Sequence, residues 1–186
     1  MIFNYQIIIE YLGVNFVGWQ IQKNGASIQA EIERALSKAL KSKIKLIGSG
    51  RTDAGVNAIG QSANFYFDKE IKNFYKFLSS FNFFLSKNKI SVLKIRKRKL
   101  SFHARYSAKK RRYEYIILNR IAKPSIEDKR SWQVKKNLDF NKMNKAIKYF
   151  VGTHNFSAFR SSSCNAKSPI RKIDLASIKK IGDKLI

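Results

Sequence analysis

The sequence is poor in the residues that most often carry cross-links and metals. It has one cysteine, Cys164, so no internal disulfide can form and a reducing compartment is expected. Only two histidines occur, His103 and His154, and neither they nor Cys164 fall into a metal-ligand spacing. Acidic residues are scarce too: 12 Asp+Glu stand against 38 Lys+Arg, a formal net charge of +26. No apolar run approaches the ~20 residues of a membrane span. The N-terminus, Met1-Ile2-Phe3-Asn4-Tyr5, has no basic segment followed by an apolar one, so secretion is not indicated. A Gly-x-Ser-x-Gly hydrolase elbow is absent, as is a Walker phosphate loop. These absences lead to the expectation of a cytoplasmic protein whose chemistry runs on carboxylate, guanidinium and phenol.

What is present begins with a core. An apolar fraction of 44% and an aromatic fraction of 13% exclude a disordered basic tail. The 186 residues suffice for one domain or two small ones. The charge invites a polyanionic partner. Yet 27 of the 38 basic residues are Lys, with Ile and Asn also abundant, a profile that an AT-rich genome would encode whatever the function. Charge alone therefore supports a polyanion only weakly.

Periodicity gives the organisation. Phe3, Tyr5, Ile7, Ile9 and Tyr11 alternate with polar positions, which predicts a strand over 3–11. Ser27 stands where an N-cap would, before Ile28, Ile32, Leu36 and Leu40 at helical spacing. Strands are predicted over 43–48 and 61–68, a helix through Ile71, Phe74, Tyr75 and Leu78, and a strand over 89–100. This β-α-β-β-α-β order is the ferredoxin-like arrangement that also underlies RNA-recognition sheets. The order then restarts: a strand over 109–119, a loop around Pro124, and a helix near 139–151 capped by Asp139. A strand is predicted after Pro169, and Gly182-Asp183 looks like a hairpin turn into a last strand that begins at Lys184. The expected fold class is α+β, with residues 1–105 as an N-terminal domain and 106–186 as a partial C-terminal one.

Two stretches could carry chemistry. Gly48-Ser49-Gly50-Arg51-Thr52-Asp53-Ala54-Gly55 lies between two predicted strands, and its glycines permit unusual backbone angles and close approach of a ligand. It offers one carboxylate, Asp53, two residues from the Arg51 guanidinium. The loop is either a surface turn in which the two pair, or a carboxylate kept ionised by the cation and presented as a nucleophile or base. The second stretch, Phe102 to Tyr115, holds five Lys or Arg and three tyrosines in fourteen residues. As a plain strand it would half-bury Tyr113 and Tyr115. As an RNA surface, Arg105, Arg111 and Arg112 would neutralise phosphates while a tyrosine stacks on an unpaired base. His103 by itself reads as structural.

Taken in order, the motifs resemble the bacterial tRNA pseudouridine synthase A group, from Tyr11 to about Arg171. Tyr11-Leu12-Gly13-Val14-Asn15-Phe16-Val17-Gly18-Trp19-Gln20 looks like that family's first loop. Gly50-Arg51-Thr52-Asp53-Ala54-Gly55-Val56 matches its catalytic signature, and Phe102-His103-Ala104-Arg105-Tyr106-Ser107-Ala108 with Arg112-Tyr113-x-Tyr115 its middle one. Gly152-Thr153-His154-Asn155-Phe156-Ser157-x-Phe159 matches the third. The resemblance implies two related α+β halves with joined antiparallel sheets and a basic cleft. It implies isomerisation of uridine to pseudouridine on the 3′ side of the tRNA anticodon stem-loop, with no cofactor and no metal, by a cytoplasmic homodimer that binds tRNA and no membrane. Carried over by position, Asp53 is the nucleophile, Arg51 its ion-pair partner and Tyr113 the aromatic against the target base.

Two departures accompany it. Asn57 stands where the family's signature usually has His, so tuned RNA contacts are expected there. The family continues for roughly one more helix and strand, so the second half is expected to be incomplete, with a helix face left uncovered. A relative that binds tRNA without catalysis is the alternative reading.

Overall fold

The computed structural model describes residues 1–126, 129–160 and 167–186. Cys164 lies outside the described residues. The chain is α+β and falls into two compact units, Met1–Arg112 and Tyr113–Ile186.

The first unit is β1 (Phe3–Tyr11), α1 (Ile28–Leu40), β2 (Leu46–Gly48), β3 (Ala58–Phe67), α2 (Phe74–Leu85) and β4 (Ile90–Arg98). Its sheet runs β2-β3-β1-β4 with every neighbour antiparallel, the order that a β-α-β-β-α-β chain needs to close one four-stranded sheet. The alternation in β1 does what it predicts: Tyr5, Ile7, Ile9 and Tyr11 are buried, beside Ala63, Phe65 and Phe67 of β3 and Val92 and Ile95 of β4. Ile28, Ile32, Ala35 and Leu36 of α1 and Phe77, Phe81 and Leu85 of α2 complete that core. Ser27 caps α1 by accepting from the Ala30 amide at 3.3 Å.

Three boundaries differ from the periodicity. β2 begins at Leu46 rather than at 43, and α1 side chains take donors at its start: Ile44 N–H donates to Ser37 Oγ at 3.3 Å, and Leu46 N–H to Glu33 Oε1 at 2.9 Å. β3 begins at Ala58, three residues earlier than expected. α2 begins at Phe74, since Asn73 caps it by accepting from Lys76 N–H at 2.8 Å, while Ile71 N–H donates to the Tyr5 hydroxyl at 2.8 Å.

The sheet face away from the core carries a polar fastening. Asn4 of β1 and Asn64 of β3 are both fully buried, because the chain after β4 folds over them. Asn4 Nδ2 donates to the Lys99 and Phe102 carbonyls at 3.0 and 2.8 Å. Asn64 Nδ2 donates to Asn4 Oδ1 at 3.0 Å, and Asn64 Oδ1 accepts from Ala104 N–H at 2.8 Å. Each buried carboxamide thus finds partners, chiefly backbone groups of the segment after β4.

The second unit has short elements: β5 (Ile117–Leu118), β6 (Trp132–Gln133), α3 (Phe140–Ala146), β7 (Gly152–Asn155), β8 (Ile170–Ile173), β9 (Lys180–Ile181) and β10 (Lys184–Leu185). Asp139 caps α3 as its position predicts, accepting from Lys142 N–H at 2.9 Å. The helix gives way to a 3-10 turn over Ile147–Phe150 and then to extended backbone at Val151. The final hairpin turns at Gly182-Asp183, and β10 pairs with β5 and β9. The strand expected over 109–119 shrinks to Ile117–Leu118, because its pairings with β6 and β10 extend over only two residues. β7 and β8 form a separate two-stranded sheet, where the element order had placed one sheet. Among this unit's described residues only Leu118 and Leu185 are buried, and α3 buries none. Phe150 nevertheless stacks on Phe156, with Phe159 edge-on to it. Among the described residues, no helix is long and apolar enough to cross a membrane.

Candidate active site

The glycine-rich loop leaves β2 in register, with Ser49 N–H donating to the Ser62 carbonyl at 2.8 Å. Gln61 Nε2 holds the Gly50 carbonyl at 2.7 Å, and a turn closes where Val56 N–H donates to the Asp53 carbonyl at 3.2 Å. What shapes the loop further is the segment after β1, residues 12–19.

The two segments lie backbone to backbone. Trp19 N–H donates to the Thr52 carbonyl at 3.0 Å, and the Tyr11 hydroxyl lies 2.9 Å from the Thr52 hydroxyl. Asn57 Oδ1 accepts from Gly13 N–H at 2.8 Å. Glycine is required at two of these points. A Cβ on Gly13 would overlap the Val56 carbonyl, and one on Gly18 would sit 2.6 Å from the Thr52 carbonyl at a φ of +113°. Burial raises the Tyr11 phenol above its ordinary value, and the hydrogen bond with Thr52 lowers it by less. Tyr11 therefore stays a neutral hydroxyl well into the alkaline range.

This clasp displays Asp53 outward. Its side chain is exposed, and among the described residues neither a hydrogen bond nor an ion pair engages its carboxylate. Arg51 is exposed as well, and no ion pair joins it to Asp53. Arg111 does reach the loop: its Nη2 donates to the Ser49 carbonyl at 3.0 Å, and its Nε stands 3.5 Å from where a Gly50 Cβ would be. Arg105 is exposed, its guanidinium 5.8 Å from the Tyr106 ring. Tyr106 in turn packs on His103 at 4.4 Å. Arg112, the last residue of the first unit, is exposed. Tyr113 opens the second unit, outside any strand and 73% exposed, and Tyr115 is 81% exposed. The half-buried tyrosines of a plain strand are not found. Among the described residues, no three His, Cys, Asp or Glu side chains gather at one point.

Sequence reasoning missed the partners that build the site. Asn57 has an internal partner rather than a free amide, and Thr52 is held on both its carbonyl and its hydroxyl. Two carboxamides within strands of aromatic and β-branched residues were the available signal for the Asn4–Asn64 fastening.

By fold and site this is a basic α+β chain that clasps a glycine-shaped loop and turns one carboxylate outward. Residues 7–107 and 146–185 match the profile of the family described as tRNA pseudouridine synthase. The chain is 59% identical over 177 residues to tRNA pseudouridine synthase A of Pelagibacter ubique, which covers 95% of this chain and 72% of that protein. It is 43% identical over 175 residues to the Ehrlichia ruminantium (strain Gardel) protein of the same name, covering 94% and 71%. With the Wolbachia pipientis wMel protein it shares 46% over 171 residues, covering 91% and 69%. The chain belongs to the tRNA pseudouridine synthase family.

Proposed function

We propose that the chain isomerises uridine to pseudouridine in tRNA, on the 3′ side of the anticodon stem-loop, with Asp53 as the nucleophile. Its family membership supports the reaction class. The observation that carries the site is the Asp53 carboxylate, unpaired among the described residues, on a loop held at Thr52 by the Tyr11 hydroxyl and Trp19 N–H and at Asn57 by Gly13 N–H.

The reaction breaks the bond between uracil N1 and ribose C1′, joins C5 to C1′, moves a proton off C5 and leaves one on N1. The target base must first leave its stack, at about a few kcal/mol. Arg51 fills the space the base vacates, and Tyr113 packs against the extruded ring. The Asp53 carboxylate then attacks the sugar or assists a glycal, holding the intermediate while the base turns. Tyr113 is the candidate to take the C5 proton. Arg105, Arg111 and Arg112 bind phosphates, which positions the stem-loop without reading its sequence. The reaction needs no cofactor in this account, and it takes place in the cytoplasm, where the tRNA is.

The test supplies anticodon stem-loop RNA with uridines on both sides of the loop and maps pseudouridine by position. Product confined to the 3′ side is expected. Product at other positions only, or none, contradicts the reading.

The binding-only alternative draws on the second unit, where only Leu118 and Leu185 are buried among the described residues. It predicts salt-sensitive tRNA binding with no product in the same assay.

A further inference from the structure

Three features lie outside the proposed chemistry: the exposed aromatics of α2, the groove beside Glu31, and the hydroxyl pair of Tyr11 and Thr52. Tyr75 and Phe83 of α2 are exposed, with nothing to indicate what covers them. The groove's carboxylate is already occupied, since Glu31 Oε2 accepts from Arg34 and Asn88.

Tyr11 is the last residue of β1 and, like most of that strand, is paired on both sides, opposite Ala58 of β3 and Ile90 of β4. It is 2% exposed, with its ring 6.1 Å from that of Trp19. Its phenol is therefore held inside the core, on a strand paired on both sides. That phenol meets the Thr52 hydroxyl at 2.9 Å, while Trp19 N–H meets the Thr52 carbonyl at 3.0 Å. Thr52 is thus gripped from two directions at the residue immediately before Asp53. On the other side of Asp53, its own carbonyl is held by Val56 N–H. Among the described residues the carboxylate itself has no partner to orient it, so its aim depends on the backbone at 52 and 53.

We propose that Tyr11 is a positioning residue: through the Thr52 hydroxyl it sets the direction in which Asp53 presents its carboxylate. The proposal rests on the functional reading above for what the aim is worth. A displacement of about 1 Å at a reacting group costs as much as 10²-fold in rate. Loss of one of the two grips on Thr52 is a smaller change, so about tenfold is expected.

The experiment compares Tyr11→Phe, Thr52→Val, their double variant and Thr52→Ser with the unaltered chain. It measures kcat and KM on anticodon stem-loop RNA, and hydrogen exchange at the Trp19 amide by NMR. Tyr11→Phe and Thr52→Val should each lower kcat about tenfold with KM unchanged, and the double variant should be no worse than either. Thr52→Ser keeps the hydroxyl and should recover most of the activity that Thr52→Val loses. Tyr11→Phe should also speed exchange at Trp19 while the β1–β3 amides keep their protection. Normal kcat in Tyr11→Phe, or additive losses in the double variant, overturns the proposal. Turnover that is absent in the unaltered chain, or that survives Asp53→Ala, sinks the functional reading instead. In that event Trp19 exchange decides the positioning claim, and unchanged protection in Tyr11→Phe overturns it.

Discussion

At the scale of single residues, the site is defined by who holds whom. Asn57 accepts from Gly13 N–H with an amide oxygen that does not titrate, so this strap is the same at any physiological pH. Asn57→Ala leaves the Gly13 donor without its partner and should cost about 1–3 kcal/mol, read by urea unfolding. Tyr11 gives a pH signature. Its phenol is raised above the ordinary value of 10.0 by burial, against a smaller lowering by Thr52. The stability carried by the protonated phenol is fully present below 10.0. It is lost as pH climbs through the raised value, because the unfolded chain releases that proton first. The unaltered protein should therefore lose unfolding stability above about pH 10 more steeply than Tyr11→Phe. Equal slopes would mean that the phenol is not buried as described.

At the scale of elements, what the sequence made legible was local. Alternation through Phe3–Tyr11 and caps at Ser27 and Asp139 act over a few residues, and each appears where its spacing predicts. The partners that build the site are far apart in sequence: Tyr11 and Thr52 by 41 residues, Gly13 and Asn57 by 44, Asn4 and Asn64 by 60. Nothing in a period of two or 3.6 encodes such pairs, so Asp53 could be singled out while the clasp around it could not. The same limit explains the strand expected over 109–119. Alternation marks a capacity to pair, and within 109–119 the strand pairing covers Ile117–Leu118. The Asn4–Asn64 fastening gives a prediction at this scale. Asn64→Ala orphans Asn4 Oδ1 and the Ala104 amide, both inside the structure. It should cost about 2–4 kcal/mol in urea unfolding, and free the segment that carries Arg105. A loss under about 0.5 kcal/mol, the usual range for a surface change, would show that water replaces both bonds.

At the scale of the whole molecule, the +26 charge divides into two kinds. Many lysines are scattered, whereas Arg105, Arg111 and Arg112 lie within eight residues of one another and Arg111 touches the Asp53 loop. If that group contacts phosphates, the logarithm of tRNA affinity should fall linearly with the logarithm of salt. Arg105→Ala should flatten the slope by about 0.7–0.9, the value of one phosphate contact. A slope unchanged by Arg105→Ala would assign the binding to the diffuse lysines. The two units also differ in how much they bury. The first has a continuous core from Tyr5 to Ile95, while the second, among its described residues, buries Leu118 and Leu185 alone. Cooperative unfolding with high hydrogen-exchange protection is accordingly expected in Met1–Arg112, and lower protection in Tyr113–Ile186.

The central claim is that one carboxylate makes this basic fold an isomerase. It is tested most directly by pseudouridine formation in anticodon stem-loop RNA, measured side by side for the unaltered protein and Asp53→Ala at matched RNA occupancy. The account predicts product from the first and none above background from the second, with tRNA affinity retained. Equal product from both, or none from either, would contradict it.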